Sequence, residues 1–270
     1  MAGDLRIASM VSRLAIASLL LAAVPAAAPA EDWKRSYPVT GKPALRIDTD
    51  DGAVVVRAGN TGSIEAHIVT TGWRIGGDGV RITDHHTGDR VDIEVRTPKQ
   101  IFSIGPRSVR IELTVPREAV ADIRTGDGSV TVENLKGEAR LRTGDGGVHV
   151  DAFDGSLTAR TGDGRIVFRG RFDNLSVETG DGSIEGEIAP GSRLASPWRV
   201  ETGDGSVKLR LPHDLPADLD VRTGDGGIHS DLNLTVSGAA RGSSLRGKLA
   251  GGGTTFTIRT RDGSINLKSF

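Results

Sequence analysis

Apolar and polar residues alternate along most of the chain, and a recurring tetrapeptide, Thr-Gly-Asp-Gly, interrupts the alternation at regular places. Hydrophobic side chains stand two and four residues before each threonine and again five residues after it. A period of two is typical of a β-strand with one buried face. Each unit therefore predicts a strand, a Gly-Asp-Gly turn and a second strand.

The tetrapeptide occurs six times, and two variants extend the series at its ends. The copies begin at Thr125, Thr143, Thr161, Thr179, Thr202 and Thr223, with variants at Thr49 and Thr260. From Thr125 onward the spacings are 18, 18, 18, 23, 21 and 37 residues. One such hairpin buries too little to be stable, but stacked units share one core. The repeat predicts an all-β fold, a single-stack β-solenoid with coils of about 18 to 23 residues.

The turns have a structural explanation that needs no ligand. Glycine permits a positive φ at a tight corner, and an aspartate can accept a hydrogen bond from the backbone two residues on. A second turn in each coil is expected at residues 136–137, 154–155 and 173–174. The tetrapeptide is therefore interpreted first as a corner of the fold.

Both ends of the array differ from its middle. Longer alternating runs between Ser63 and Val115 predict antiparallel strands, with a turn near residues 87–89, and we interpret them as an N-terminal cap sheet. Residues 237–253 are rich in Gly and Ser and predict a looped final coil. The predicted division is a signal peptide over 1–30, N-terminal strands and cap sheet over 31–120, and a repeat solenoid over 121–270, continuous with the cap.

The first thirty residues have the pattern of a secretory signal peptide. Arg6 and Arg13 precede the apolar run Leu14 to Val24, and small residues follow at Ala28 and Ala30. The run is shorter than the roughly 20 residues that a membrane-spanning helix needs. An uncleaved anchor is the alternative. We expect a periplasmic or secreted protein with no membrane span in the mature chain.

Charge and composition narrow the function classes. The chain has 34 Lys and Arg against 35 Asp and Glu, so the electrostatic reason to expect nucleic acid or an anionic membrane as partner is missing. It has no Cys, which excludes disulfides, thiolate nucleophiles and Cys-ligated metals. Aromatic residues make up only 4%, which is few for sugar-binding platforms.

The aspartates of the corners form the first candidate site. They are predicted to lie in one column of like charges, which are Asp51, Asp127, Asp145, Asp163, Asp181, Asp204, Asp225 and Asp262. Stacked about 4.8 Å apart they repel one another, so either calcium or a ladder of arginines should offset them. Arginines stand just before the threonine at Arg124, Arg142, Arg160, Arg222 and Arg259. We favour the arginines, because calcium-binding β-rolls need a Gly-rich Asp turn every nine residues.

In two consecutive units a glutamate replaces the arginine. Glu178, Asp181, Glu201 and Asp204 are therefore the weak candidates for a cation site, with calcium as the possible ion and no other cofactor expected. The run Asp84 to Asp89 contains two histidines, but adjacent strand residues point to opposite faces. A solvated hairpin turn is the better interpretation of that run than a transition-metal site.

The motifs together resemble a known family. Val115-Pro116 closes a strand, the Thr-Gly-Asp-Gly units follow, and Gly247-Lys248-Leu249 leads into three glycines before the closing unit. From Ala44 onward the chain resembles the adhesin-type β-strand-repeat family of bacterial envelope proteins. The resemblance implies a β-solenoid in an extracytoplasmic setting, and it brings no catalytic residues with it.

We expect a non-catalytic structural or binding module of the cell envelope, whose outward columns contact an envelope protein or a polymer. Signatures of common hydrolases, metalloproteases and phosphate-binding loops are absent from the sequence. The alternative is a polysaccharide-active β-helix enzyme, a lyase or hydrolase that uses the carboxylate face. We also expect the last coil to present an exposed edge. An uncapped end of this kind can associate with another chain end to end.

Overall fold

The alternating pattern folds as strands throughout the described part of the chain. The computed structural model describes residues 30–98, 106–236 and 242–270, which form twenty-one β-strands and no helix. The predicted signal peptide lies outside the described residues apart from Ala30. The expectation of an all-β fold is confirmed, and the strands make an open sheet rather than a closed barrel.

The strands before residue 162 fall in both the irregular and the regular parts of the chain. They are β1 (Ala30–Pro38), β2 (Ala44–Thr49), β3 (Ala53–Gly59), β4 (Ser63–Thr71), β5 (Arg81–Thr87), β6 (Arg90–Arg96), β7 (Ser108–Pro116), β8 (Glu118–Thr125), β9 (Val130–Glu133), β10 (Lys136–Arg142) and β11 (Val148–Thr161).

The remaining strands complete the array. They are β12 (Ile166–Thr179), β13 (Ile184–Ile188), β14 (Trp198–Thr202), β15 (Val207–Leu211), β16 (Ala217–Asp225), β17 (Ile228–Ser230), β18 (Leu234–Val236), β19 (Ser244–Leu249), β20 (Thr255–Asp262) and β21 (Ile265–Ser269).

Two layers of strands meet at the tetrapeptide corners. The strands that lead into the corners form sheet one, in the order β5-β6-β2-β8-β10-β11-β12-β14-β20-β16-β19-β18. The strands that follow form sheet two, in the order β1-β4-β7-β3-β9-β11-β12-β13-β15-β21-β17. The long strands β11 and β12 run from one sheet into the other.

The predicted apolar columns lie between the two sheets. All residues two and four positions before the threonines are buried, and so are those five positions after them, except the half-buried Ile228. Trp198, expected in a core column, is fully buried against Phe256, with ring centroids 5.4 Å apart. Gly186 also faces inward, and the ring of Phe168 fills the space where its side chain would stand. The core is therefore one continuous layer.

The coils do not stack in sequence order. The last unit, β20 and β21, is inserted between the unit of β14 and β15 and the unit of β16 and β17. At the other end β2 and β3 lie between β6 and β7 on one side and β8 and β9 on the other. The expectation that the last coil forms an exposed edge is wrong, because its strands are paired on both sides.

Antiparallel strands cover the ends of the stack. At the N-terminal end β4 pairs antiparallel with β1 and β7, and β5 and β6 form a hairpin through the predicted turn at residues 87–89. The partners of β6 and β7 inside the stack are nevertheless parallel. At the C-terminal end β19 and β18 continue sheet one, so part of the segment expected to be a loop is a strand. The division at residue 120 stays a prediction.

In β11 and β12 the second turn of the coil is a bend within a strand, whereas residues 136–137 begin β10 after a break at residues 134–135. Residues 154–155 lie inside β11 and residues 173–174 inside β12, so no break in the strand occurs there. The pairing of these two strands shifts register at two places, and Ala152 and Gly155 adopt positive φ angles of 50° and 137°. These features are β-bulges, which bend a strand sharply while its ladder continues.

The tetrapeptide corners are held together by a ladder of threonine hydroxyls. Each threonine from the second coil onward donates to the carbonyl of the second corner glycine in the preceding coil of the stack. The Thr161 Oγ1 to Gly146 O distance is 2.9 Å and the Thr179 Oγ1 to Gly164 O distance is 3.0 Å. Seven such bonds span 2.7 to 3.0 Å. The hydroxyl of Thr49, at the end of the ladder, is buried and has no hydrogen-bond partner among the described residues.

The corner glycines are required by close approach between coils. A Cβ on Gly164 would stand 2.0 Å from the carbonyl oxygen of Gly146, and one on Gly146 would stand 2.1 Å from that of Gly128. No real Cβ atom tolerates such a contact with backbone. Of the corner glycines only Gly226 has a positive φ, so the expectation that positive φ explains the tetrapeptide is wrong for the others.

We predict that Thr161→Val lowers the free energy of unfolding by about 1 to 2 kcal/mol, because it removes a buried donor and leaves the carbonyl of Gly146 without it. Thr158→Val is the matched control, since Thr158 lies on the same strand and faces outward. Urea unfolding measures both variants. Equal losses in the two variants would show that the ladder adds nothing to stability.

Candidate functional site

The eight corner aspartates lie along one exposed ridge where the two sheets meet. All of them are exposed, while the threonine two positions before each is buried. In stack order the members are Asp51, Asp127, Asp145, Asp163, Asp181, Asp204, Asp262 and Asp225. We call this feature the aspartate ridge. Seven intervals of about 4.8 Å make it about 34 Å long.

The ridge is poorly compensated by positive charge. Among the described residues one ion pair reaches it, between Arg261 and Asp204 at 3.7 Å. The other seven carboxylates have no ion-pair partner in the described part of the chain. Their like charges repel by on the order of 1 kcal/mol per neighbouring pair even in water. Solvation of the exposed carboxylates, rather than ion pairing, therefore offsets most of this repulsion.

The arginine column runs beside the ridge but pairs elsewhere. Arg124 lies 3.6 Å from Asp122, and Arg222 lies 3.0 Å from Asp220, each on its own strand. The residue two positions away on a strand shares the same face, so these carboxylates are nearer than the ridge. The expectation that the arginines form a charge-balancing ladder for the corner aspartates is wrong at these positions.

The four candidate cation ligands lie in two neighbouring coils. Glu178 and Glu201 are directly opposite in register, as predicted. Arg160 lies 3.2 Å from Glu178, Arg199 lies 3.1 Å from Glu201, and Asp204 has its contact with Arg261. Asp181 alone has no ion pair among the described residues. The patch is thus not free of positive charge, and no group of three or more metal-ligating side chains occurs in the described ranges.

Asp173 and Asp220 lie away from the ridge, and neighbouring arginines lower the pKa of each carboxyl group. Hydrogen bonds from Arg171 hold the pKa of Asp173 below its ordinary value, and both lie at the bend of β12. Burial alone would raise the pKa of Asp220, but hydrogen bonds from Arg222 and Arg246 lower it overall. These shifts belong to ion pairs that hold outward side chains in place, and neither group lines a cleft with a second free carboxylate.

The grooves of the surface lie apart from the ridge. Four grooves have volumes of about 340, 470, 380 and 630 Å³, and none of these four is lined by a ridge aspartate. The first lies on sheet two and carries Arg169, Lys208, Arg210 and Lys268 beside two glutamates. Of the described large apolar side chains, only Phe270 is exposed.

Sequence reasoning missed a polar cluster at the N-terminal end of the stack. The hydroxyl of Tyr37 donates to Asp84 at 2.9 Å, and the ring of His86 meets that of Tyr37 edge-on at 5.4 Å. Tyr37 lies on β1 and the other two on β5, so the cluster ties two edge strands together. Nothing in the sequence places these strands side by side, because neither belongs to the repeat.

A family model matches the part of the chain that carries the repeated corners. The family model described as Toastrack DUF4097 matches residues 117–268, which is more than half of the chain. The chain belongs to the Toastrack DUF4097 family. The match spans seven of the eight corners of this Toastrack chain and begins just before β8. Membership of a family over the repeat region is thereby confirmed, and the adhesin-type character that the sequence resemblance implied stays a prediction.

The Toastrack chain is also similar to solved structures, all at low identity. One is a protein of Clostridium sporogenes named for cell adhesion, with 11% identity, a TM-score of 0.42, and coverage of 89% of this chain and 100% of that one. A Bacteroides fragilis protein named as an adhesin has 13% identity, a TM-score of 0.47 and coverages of 89% and 97%. A Parabacteroides distasonis protein named for lipid binding has 12% identity, a TM-score of 0.42 and coverages of 87% and 96%.

No curated protein matches this Toastrack chain. Within residues 30–98, 106–236 and 242–270, there is no helix with the length and apolar character needed to cross a membrane.

We predict that Asp163→Asn raises the melting temperature by roughly 1 to 3 °C at low ionic strength, because it removes one charge from an unpaired run of the ridge. The gain should disappear near 1 M salt, where the Debye length is about 3 Å. Asp204→Asn is the control: it also loses an ion pair, so its gain should be smaller. A rise that is unchanged by salt would contradict the electrostatic origin.

Proposed function

We propose that this Toastrack chain is a non-catalytic binding module of the cell envelope, located outside the cytoplasm in the periplasm or beyond. Its solenoid, with coils of about 18 to 23 residues and a cap sheet at the N-terminal end, presents the aspartate ridge to a cationic surface. The partner is an envelope protein or a polymer that carries positive charges along an extended line. The observation that supports this proposal is the exposed ridge itself, in which seven of the eight carboxylates have no ion pair within the described residues.

The geometry favours an extended partner over a small molecule. The ridge is exposed along its length of about 34 Å, and its charges repeat at the spacing of stacked strands, about 4.8 Å. A small ligand would contact one or two of these aspartates and gain little from exposed charges in water. A long cationic partner would contact many aspartates at once. Each contact that forms raises the effective concentration of the partner at the next aspartate, so many weak contacts give a higher overall affinity. The regular ridge therefore suits many weak contacts.

The ridge is a poor candidate for catalysis. A glycosidase needs two carboxylates in different environments on either side of a bound sugar. Here the aspartates are equivalent, exposed and outside the four grooves described above. The aromatic side chains that a sugar could stack on are mainly buried in the core, as Trp198 and Phe256 are. The repeated, exposed carboxylates of the ridge are suited to binding rather than to catalysis.

The cation site at Glu178, Asp181, Glu201 and Asp204 stays a prediction, and the arginines beside it decide how we expect it to behave. Because Arg160 and Arg199 already pair with the glutamates, we predict that millimolar calcium leaves the melting temperature unchanged, relative to a chelator. Equal concentrations of magnesium control for ionic strength. A calcium-specific rise that Asp181→Asn abolishes would establish a calcium site and overturn this expectation.

We predict that replacing Asp127, Asp145 and Asp163 together by Asn weakens binding to a cationic probe, immobilised polylysine, and to isolated envelope material. With three charges lost we expect affinity for polylysine to fall at least about tenfold at low salt, and little difference to remain at high salt. Surface plasmon resonance over a salt series measures the effect.

The matched control changes three outward glutamates of sheet two to Gln: Glu133, Glu185 and Glu187. It alters the net charge by the same amount, but these glutamates are ion-paired with Arg57, Arg165 and Arg210. Binding that falls equally in both triple variants would mean that net charge alone matters, and the ridge would then have no special role. Cleavage of an acidic polysaccharide by the parent chain would favour the enzyme alternative.

A further inference from the structure

Two of the exposed sheet edges lie at the N-terminal end of the stack, and one of them is long. Within the described residues four strands pair on one side only: β1, β5, β17 and β18. The last two have only three residues each. β1 has nine residues, and all nine pair with β4, so its other edge is a continuous row of backbone groups. An edge of this kind is a template for another strand.

The charges of β1 are antisymmetric about Trp33. Glu31 and Asp32 precede the tryptophan, and Lys34 and Arg35 follow it. An antiparallel pairing of two copies centred on Trp33 would place Asp32 opposite Lys34 and Glu31 opposite Arg35, twice each by symmetry. Directly opposite residues in antiparallel strands share a face and interact, and opposite charges there stabilise the pair.

The same pattern disfavours other pairings. A parallel in-register pairing would set Asp32 on Asp32 and Lys34 on Lys34, which places like charges directly opposite one another. A shift by one residue would bring side chains of opposite faces together. The edge of β5 shows no such pattern: a pairing centred on Asp84 would place Asp84 opposite itself and Arg81 opposite Thr87, so no acidic residue would face a basic one. The charges therefore specify one partner strand, β1 of a second copy, and one direction.

The two outer-face side chains of this pairing are accessible, while on the inner face Glu31 accepts a hydrogen bond from the backbone N–H of Ile75 at 2.7 Å and Arg35 lies 3.7 Å from Asp84. The side chains of Asp32 and Lys34 are 54% and 66% exposed and lie 2.9 Å apart on the outer face of β1. His67 lies 3.4 Å from Asp32 on the neighbouring strand. Trp33 is half-buried against the core, so two copies paired about it would bring together two aromatic rings that are each partly exposed to water.

We propose that this chain forms a two-fold symmetric dimer in which β1 of each copy pairs antiparallel with β1 of the other, centred on Trp33. Sheet two of one copy then continues into sheet two of its partner. The interface is isologous and uses up the longest exposed edge of each copy, so assembly stops at two. The dimer does not rest on the proposed role of the aspartate ridge.

Sedimentation velocity on the full chain, from about 1 to 200 µM at low salt, tests the dimer. Lys34→Glu places a repelling glutamate opposite Asp32 at two symmetric positions, so we expect the dimer dissociation constant to rise at least about tenfold. The exchange of both charges, Asp32→Lys with Lys34→Glu, restores complementarity, and we expect it to return the constant to within about threefold of the parent value.

Arg81→Glu is the matched control, because it makes the same charge change on β5, the other exposed edge at this end. It should leave the dimer unchanged, and melting temperatures check that every variant is folded. A parent chain that stays monomeric over the whole range overturns the proposal. So does an exchanged variant that dimerises no better than Lys34→Glu, or a dimer that Arg81→Glu disrupts instead.

Discussion

The close approach of successive corners is the constraint on which the rest of this structure depends. A threonine hydroxyl such as that of Thr161 reaches the glycine carbonyl of the coil before it only because no Cβ stands between them. That contact fixes the register of both sheets at once, since the strands on either side of the corner start from it. The buried columns, the equal spacing of outward residues and the exposed position of the aspartate all follow. The tetrapeptide thus encodes the distance between coils more than the shape of a turn.

The outer surface divides into two kinds of charge. On the sheet faces, acidic and basic side chains alternate closely enough to pair, as Arg222 does with Asp220. At the corners the glycines on either side leave the aspartate without a long neighbour, so its carboxylate has little but water to contact. The sheet faces are therefore nearly neutral at short range, while the ridge keeps its charge. A chain with a formal net charge of −1 can in this way present a strongly acidic line.

The repeated features could be predicted from the sequence, and the unrepeated ones could not. The apolar columns, such as that of Ile123, can be assigned to the core from the sequence because eight registered units average out accidents. In these columns only Ile228, on a strand with a single neighbour, is less buried. The reason for the corner glycines was missed, because a contact between coils leaves no mark within one coil. The position of the unit at Thr260 was missed as well. Its sequence resembles its neighbours, and only the hairpin of β18 and β19 makes the other unit the outer one.

The insertion of β20 and β21 between strands that precede them in the sequence has a consequence for the folding kinetics. Strands β14 and β16, which flank β20, are joined by a chain segment that must leave a strand-wide gap until residues 255–269 arrive. Folding that propagates from coil to coil, as in a linear repeat array, therefore cannot complete the stack until the unit of β20 and β21 is in place. Closing the gap needs contacts across some 60 positions of sequence at its widest, and such long loops slow the final step. A nascent chain that emerges through a pore would reach its final fold only after nearly all of its residues had emerged.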